Sequence, residues 1–405
     1  MRLNHGLHLA YCTNVHRGES WPETFESLKQ YTLKVRDGVC PDEPFAIGLR
    51  LSNQAARELN TRATLLEFQR WLDENRCYVF TINGFPFGQF HGQRVKEQVY
   101  VPDWTSQARL EYTNLLFDLL AQLLPPGVEG SVSTVPCGFK ELVTTPEQLK
   151  QIRDNLWYCV EHIARVSSQT GQKLHLGLEP EPLCVLENTD ETIHFFERLR
   201  ADHRNDPKLT EYLGVNYDTC HFAVEFEEPK NAIGALVQHG IKISKIHLSS
   251  ALKVHPTAEA RKALTAFVED VYLHQVVVRR ADGKRVIHRD LDQALAREPS
   301  VEPEHIPTSP TLDPRPSTFS GWRIHFHIPL HSAPTTCFDN TTDHLLGALD
   351  LLQSNPKLCS HLEMETYTWE VLPPELRNRD VVDQLVGEYD WTLSRLAERG
   401  LFRKG

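Results

Sequence analysis

LHLGLEPEP, residues 174–182, is a strand-length apolar run that stops at an acid, Glu179, and the same kind of phrase returns four more times along the chain. YLGVNYDTCH (212–221) stops at Asp218 and His221, KISKIHLSS (242–250) at His247, WRIHFHIPL (322–330) at His325 and His327, and HLEMETYTW (361–369) at Glu363 and Glu365. One such ending is compatible with chance. Five in succession predict parallel strands whose C-terminal tips converge on one bound cation, because parallel barrels carry their functional groups at that end of the strands.

The rest of the chain supports the same architecture. Short apolar runs lie at 7–15, 45–51, 78–82, 130–135, 174–178, 212–216, 241–248 and 362–366, with helical patterns between them at 23–36, 55–75, 106–124, 146–170, 189–200 and 231–239. Eight strands separated by helices predict right-handed βαβ units closing into a single (β/α)8 TIM barrel over 1–405. An open doubly wound sheet normally has a Gly-rich phosphate loop after its first strand, and YCTNVHRGES (11–20) is not one. The alternation breaks between about 254 and 321. There, two alternating runs flank Asp282-Gly283, a hairpin signal, and the proline-rich stretch 298–317 reads as a mobile loop. This insertion is expected on the loop after the seventh strand, with a helix near 344–353, the eighth strand and a closing helix at 381–399 following it.

Composition narrows the function. With 40% hydrophobic and 24% charged residues the chain has material for a sizeable core. A formal charge of −11 gives no electrostatic reason to bind nucleic acid or an anionic membrane. Nine scattered cysteines, without a CxxC pair, read as reduced thiols rather than a disulfide framework or a zinc ribbon. The start MRLNHGLHLAYCTN has no run that suits a signal peptide, and no segment suits a membrane span. The expectation is a cytoplasmic protein with no membrane insertion.

Each site residue also has a plain structural explanation. Glu179 and Glu365 taken singly read as solvated or capping acids, and together with the other endings as ligands and proton carriers. Glu363, two residues before Glu365 on the same strand face, is either a partner behind the ligands or the ligand in place of Glu365. Asp218 to His221 offers a hard oxygen and an imidazole within one turn, or simply a helix start. His247 follows a β-branched strand, where lone histidines often serve as core groups. His325 and His327 have the spacing of a pair binding one ion. The aromatic loop NGFPFGQFHGQRVKEQVYVPDW (83–104), with His91, Arg94 and Lys96, reads as a lid whose cations hold an anionic or polyol substrate, or as a surface loop packed on its own rings. Lys140 and Lys253 are further strand-end cations.

These endings resemble the xylose isomerase-like, endonuclease IV-like superfamily of divalent-metal TIM barrels. The resemblance implies metal ligands at Glu179, Asp218, His247 and Glu365, with Glu187 in LEPEPLCVLEN (178–188) contacting substrate. The endonuclease branch has the same DTCH phrase, which adds His221 as a ligand. Its later Asp-x-His stands here as His325-Phe326-His327, so His327 is the firmer match. SVSTVPCGF (131–139) lacks the histidine that a three-ion cluster would use, and His91 matches the histidine after that branch's third strand. More narrowly, YCTNVHRGESW (11–21), GLRLS (48–52), TINGFPFGQFHGQRVKEQVYVPDW (81–104) and STVPCGFK (133–140) resemble the EboE-type metabolite traffic proteins. That resemblance implies work on a secondary-metabolite precursor, alongside other proteins of the same pathway.

The resulting expectation is a metal-dependent isomerase- or epimerase-like enzyme for a small polar metabolite. In it Glu179 and Glu365 bind the cation and move a proton, His221 or Glu187 orients hydroxyls, and His91, Arg94 and Lys140 contact substrate. Imidazole and carboxylate ligands suit Zn or Mn, with Mg, Co or Fe as alternatives. The competing functions are a metal-dependent phosphoesterase and a non-catalytic handover protein.

Overall fold

Eight strands, each buried along nearly its whole length, form one parallel sheet in the computed structural model, which describes all residues except 93, 281, 301–320, 374–376, 378 and 404–405. They are β1 (His8–Tyr11), β2 (Phe45–Arg50), β3 (Cys77–Asn83), β4 (Gly130–Thr134), β5 (Leu174–Leu178), β6 (Leu213–Asp218), β7 (Lys242–Leu248) and, last in the chain, His361–Met364. The order β1, His361–Met364, β7, β6, β5, β4, β3, β2 brings the first two strands to opposite ends of the sheet, and a parallel bridge between Cys12 and Gly48 joins those ends. Helices cover the outside, so the strands are apolar towards both the helices and the barrel interior. Local signals start and stop these helices. Ser20 with Glu23 and Thr145 with Gln148 make capping boxes with proline in the first turn, and Gly171, at φ 71, ends the helix Pro146–Thr170.

The predicted insertion is larger than a hairpin. After β7 the chain forms β8 (Leu252–Val254), β9 (Val276–Arg279), β10 (Arg285–His288), β11 (Gly321–Ile324) and β12 (Asp339–Asn340), an antiparallel sheet in the order β10-β9-β11-β8-β12; His361–Met364 is then β13. The β9–β10 hairpin turns through Gly283 at φ 82. The proline-rich stretch expected to be a mobile loop lies, for the most part, outside the described residues. One sequence reading changes. WRIHF is not a barrel strand tip but the middle of this second sheet, pairing Trp322 with both Val254 and Val278. Its alternation buries Trp322 and Ile324 against a separate apolar cluster, a pattern that the sequence could not assign to one sheet or the other.

The insertion is clasped to the long loop after β3. Backbone N–H groups of Val95 and Lys96 both donate to Val271 O at 3.0 Å. Lys96 Nζ donates to Glu269 O at 2.8 Å, Tyr272 O at 2.5 Å and Asp290 Oδ2 at 2.7 Å. These two loops roof the C-terminal end of the barrel.

Two groups hold that end in shape. A Cβ on Gly48 would crowd Glu363 Oε1 and lie 2.6 Å from Tyr11 O, so a larger residue fits only if the carboxylate and the backbone of the seam shift. Gly48→Ala is expected to cost about 1–3 kcal/mol in urea unfolding, and an unchanged midpoint would contradict so close an approach. On the closing helix Val381–Glu398, buried Glu388 Oε1 accepts from Thr366 Oγ1 at 2.7 Å and Leu330 N at 3.0 Å. Burial pushes its carboxyl from the ordinary 4.5 up to about 7. The folded chain therefore keeps a proton that the unfolded chain releases, and this stability, complete below pH 4.5, is lost as pH rises through about 7. Glu388→Gln should flatten that part of a stability–pH curve; equal slopes for both proteins would exclude the effect.

Candidate metal centre

Four strands deliver one donor each to a common point. Glu179 follows β5, Asp218 ends β6, His247 lies on β7 and Glu365 follows β13. The parallel register sets Asp218 and Glu363 level with His247 on either side. One ligand atom from each of Glu179, Asp218, His247 and Glu365 lies within 4.8 Å of all the others, and all four residues are buried. His247 Nδ1 is 2.8 Å from Glu179 Oε1, 3.2 Å from Glu365 Oε2 and 3.5 Å from Asp218 Oδ2.

The surroundings point His247, Asp218 and Glu365 inward. His247 Nε2–H donates to Glu363 Oε2 at 2.8 Å, and Glu363 also pairs with buried Lys245, whose Nζ reaches Ser133 Oγ at 2.9 Å. Glu363 is thus a partner behind the centre. Burial opposes its ionisation, yet Lys245 and then His247 hold it down to about 2. Asp218 Oδ1 takes three donors, Ser249 Oγ at 2.6 Å, Cys220 N at 2.7 Å and His221 N at 3.0 Å, while Oδ2 is buried without a partner. Asp218 thus caps the helix through one oxygen and keeps the other available to a cation. Glu365 Oε1 accepts from Asn14 Nδ2 at 2.8 Å and Asn83 Nδ2 at 3.2 Å, which leaves Oε2 for the centre.

One proton on Nδ1 cannot neutralise three carboxylates. Burial disfavours a charged His247, but Glu365 and Glu179 outweigh it and hold the imidazole well above its ordinary pKa. Unpaired buried charge costs several kcal/mol per ion. Three carboxylate oxygens and one imidazole nitrogen suit a divalent cation, and hydrogen bonds from behind fix Asp218, His247 and Glu365.

Three more imidazoles stand beside this group. Nδ1–H of His221 donates to Pro180 O at 3.0 Å and that of His327 to Glu365 O at 3.0 Å. His325 Nδ1–H donates to Gln275 Oε1 at 2.8 Å, because the amide nitrogen of Gln275 is spent on Tyr100 Oη at 2.9 Å and Pro182 O at 3.2 Å. With those tautomers every Nε2 presents a lone pair, and those of His325 and His327 face each other at 3.2 Å. A cation or a shared proton has to separate them. Asp218, His221 and His327 form one potential ligand group here and Glu181, His221 and His325 another.

A cavity opens over both groups. Its floor includes Asn14, Glu179, Glu181, His221, His325 and Glu365, and its walls are aromatic and aliphatic. Of the residues expected to contact substrate, His221 and Lys96 line it, whereas Glu187, His91, Arg94 and Lys140 do not. His91 lines a neighbouring cleft with Arg17 and Arg50, and Arg94 is exposed. Lys140 pairs with Glu187 and Glu191. Lys253 lies beside Asp339 at 3.3 Å. Sequence reasoning missed Asn14, Glu181 and Gln275. Only Glu181 left a signal, as the second acid of LEPEP.

No protein-family model and no curated protein sequence matches the chain. Solved structures do. An L-ribulose 3-epimerase aligns with a TM-score of 0.51 at 12% identity, covering 98% of this chain and 96% of that one. A xylose isomerase-like TIM barrel protein from Mycobacterium smegmatis, in complex with magnesium, aligns with a TM-score of 0.54 at 12% identity, covering 98% and 99%. At such identities the likeness is one of fold, and the chain has the xylose isomerase-like TIM-barrel fold.

Proposed function

We propose that this chain is a divalent-metal-dependent enzyme of the sugar isomerase and epimerase type, acting on a small polar metabolite. The observation that carries the reading is His247 Nδ1 facing three buried carboxylates, one of which, Asp218, has an oxygen with no other partner. Glu179, Asp218, His247 and Glu365 would hold the ion, with Zn or Mn suited to the donors and Mg, Co or Fe as alternatives. When bound, the ion supplies polarisation of a substrate carbonyl oxygen. Glu179 and Glu365 stand on strands three places apart around the barrel, and both line the cavity. A substrate carbon between them meets one carboxylate to remove a proton and another to return it. His221, its tautomer set by Pro180 O, offers Nε2 to a substrate hydroxyl. The epimerase and the magnesium complex among the similar structures agree with this reading; a role in secondary-metabolite biosynthesis or traffic, in the cytoplasm with pathway partners, rests only on the resemblance of 81–104 and its companion phrases to EboE-type proteins.

A second reading, phosphoester hydrolysis, draws on the imidazole group of His221, His325 and His327 beside the first donor set. A handover protein that keeps the cavity without chemistry is the third. Metal content decides first. Protein purified without chelator is expected to carry about one Zn, Mn, Mg, Co or Fe per chain, to lose several degrees of melting temperature in EDTA and to regain them on reloading. Protein free of metal, with a melting temperature indifferent to added ions, would refute the reading. Glu365→Gln, with circular dichroism unchanged, should lower product formation in producing cells about a hundredfold or more; undiminished product would favour handover.

A further inference from the structure

We infer that the cavity receives an uncharged molecule with a hydroxylated end and an apolar body, a substrate class that rests on the metal-dependent reading of the same site. The floor lacks donors. Asn14 must turn Nδ2 towards Glu365 Oε1, so its Oδ1 is an acceptor, and it is buried without a partner. Glu181 is 4% exposed. Its Oε1 accepts from Tyr100 Oη at 2.5 Å, while Oε2 has no partner. A hydroxyl both donates and accepts, so it satisfies Asn14 Oδ1 in the only way possible and Glu181 Oε2 in either protonation state. A ketone or ether oxygen satisfies neither a carboxylate nor an amide oxygen.

The walls are of the opposite character. Phe85, Phe90, Val95, Val99 and Leu273 face the space above the floor, and the hydroxyls of Tyr272 and Tyr367 are the polar groups set among them. Each hydroxyl set against them without a partner weakens binding by roughly tenfold or more, whereas each methylene buried there strengthens it roughly fourfold. A polyol with oxygen on every carbon therefore matches the floor and mismatches the walls. Charge excludes another class. The one cationic side chain among the described lining residues is Lys96, and its three N–H bonds are spent on Glu269 O, Tyr272 O and Asp290 Oδ2. A phosphate or carboxylate would meet Glu179, Glu181 and Glu365 with no free cationic side chain to offset them, and the two charges of a bound divalent ion are already outnumbered by the carboxylates of Glu179, Asp218 and Glu365.

Calorimetric titration of the full-length protein, with and without reloaded Mn, tests this on one ring system: 4-propylcyclohexane-1,2-diol, unsubstituted cyclohexane-1,2-diol, myo-inositol and inorganic phosphate. The propyl diol is expected to bind at least tenfold more tightly than the unsubstituted diol, and both more tightly than inositol or phosphate. Leu273→Ser should erase most of the propyl advantage while leaving metal content and the affinity of the unsubstituted diol unchanged. Inositol or phosphate binding as tightly as the propyl diol overturns the inference, as does failure of all four to bind. Failure of Mn to bind removes the metal-dependent reading instead, and the order of affinities in metal-free protein then still decides the ligand class.

Discussion

His247 has its Nε2 proton fixed on Glu363, and its other nitrogen is consequently turned into a ring of carboxylates. Lys245, inside the barrel and two residues earlier on β7, neutralises Glu363 so that it can act as this anchor. Coulombic attraction between such groups is strong in a low dielectric but is opposed by the cost of desolvating both. The pair persists because Ser133 and His247 satisfy further hydrogen-bonding capacity and because nothing larger than Gly48 occupies the space beside Glu363. Remove this anchor and neither the orientation of His247 nor the level of the surrounding acids is determined. Interior charge here sets geometry more than it adds stability.

The same logic, one oxygen or nitrogen committed and the other free, runs through the centre everywhere but at Glu179. Asp218 spends Oδ1 on the helix it caps, Glu365 spends Oε1 on two asparagines, and the three neighbouring imidazoles spend Nδ1 on carbonyl oxygens. Groups held this way need little rearrangement when a cation or substrate arrives, which is the condition for strong ligation and for efficient proton transfer.

Much of this was legible in the sequence because a parallel barrel repeats one local rule, an apolar run ending at a functional tip. Glu179, Asp218, His247 and Glu365 stand at such tips and meet in space. Legibility failed where the rule was not local. WRIHF has the composition of a barrel strand, but its partners Val254 and Val278 lie in an antiparallel sheet that no periodicity announces. Which of Glu363 and Glu365 faces the centre depends on Lys245, which points at one of them only in three dimensions. Lys96 and Lys140 read as substrate cations because sequence shows a charge without its partners, Asp290 for one and Glu187 with Glu191 for the other. Asn14 is an ordinary polar residue until its amide is seen against Glu365.

The insertion makes the last connection. Gln275 stands just before β9, and its amide joins three groups that the barrel alone would leave loose. Its oxygen fixes the tautomer of His325, while its nitrogen holds Tyr100, from the loop after β3, and the backbone at Pro182, beyond β5. Tyr100 in turn must donate to Glu181, since its own oxygen already accepts from Gln275. The polarity of the cavity floor is therefore set partly from the second sheet, and Tyr272 and Leu273, a few residues earlier in the same segment, complete its wall. A barrel carrying Glu179, Asp218, His247 and Glu365 without this insertion would keep its four converging donors, but not the arrangement of acceptors and apolar surface above them.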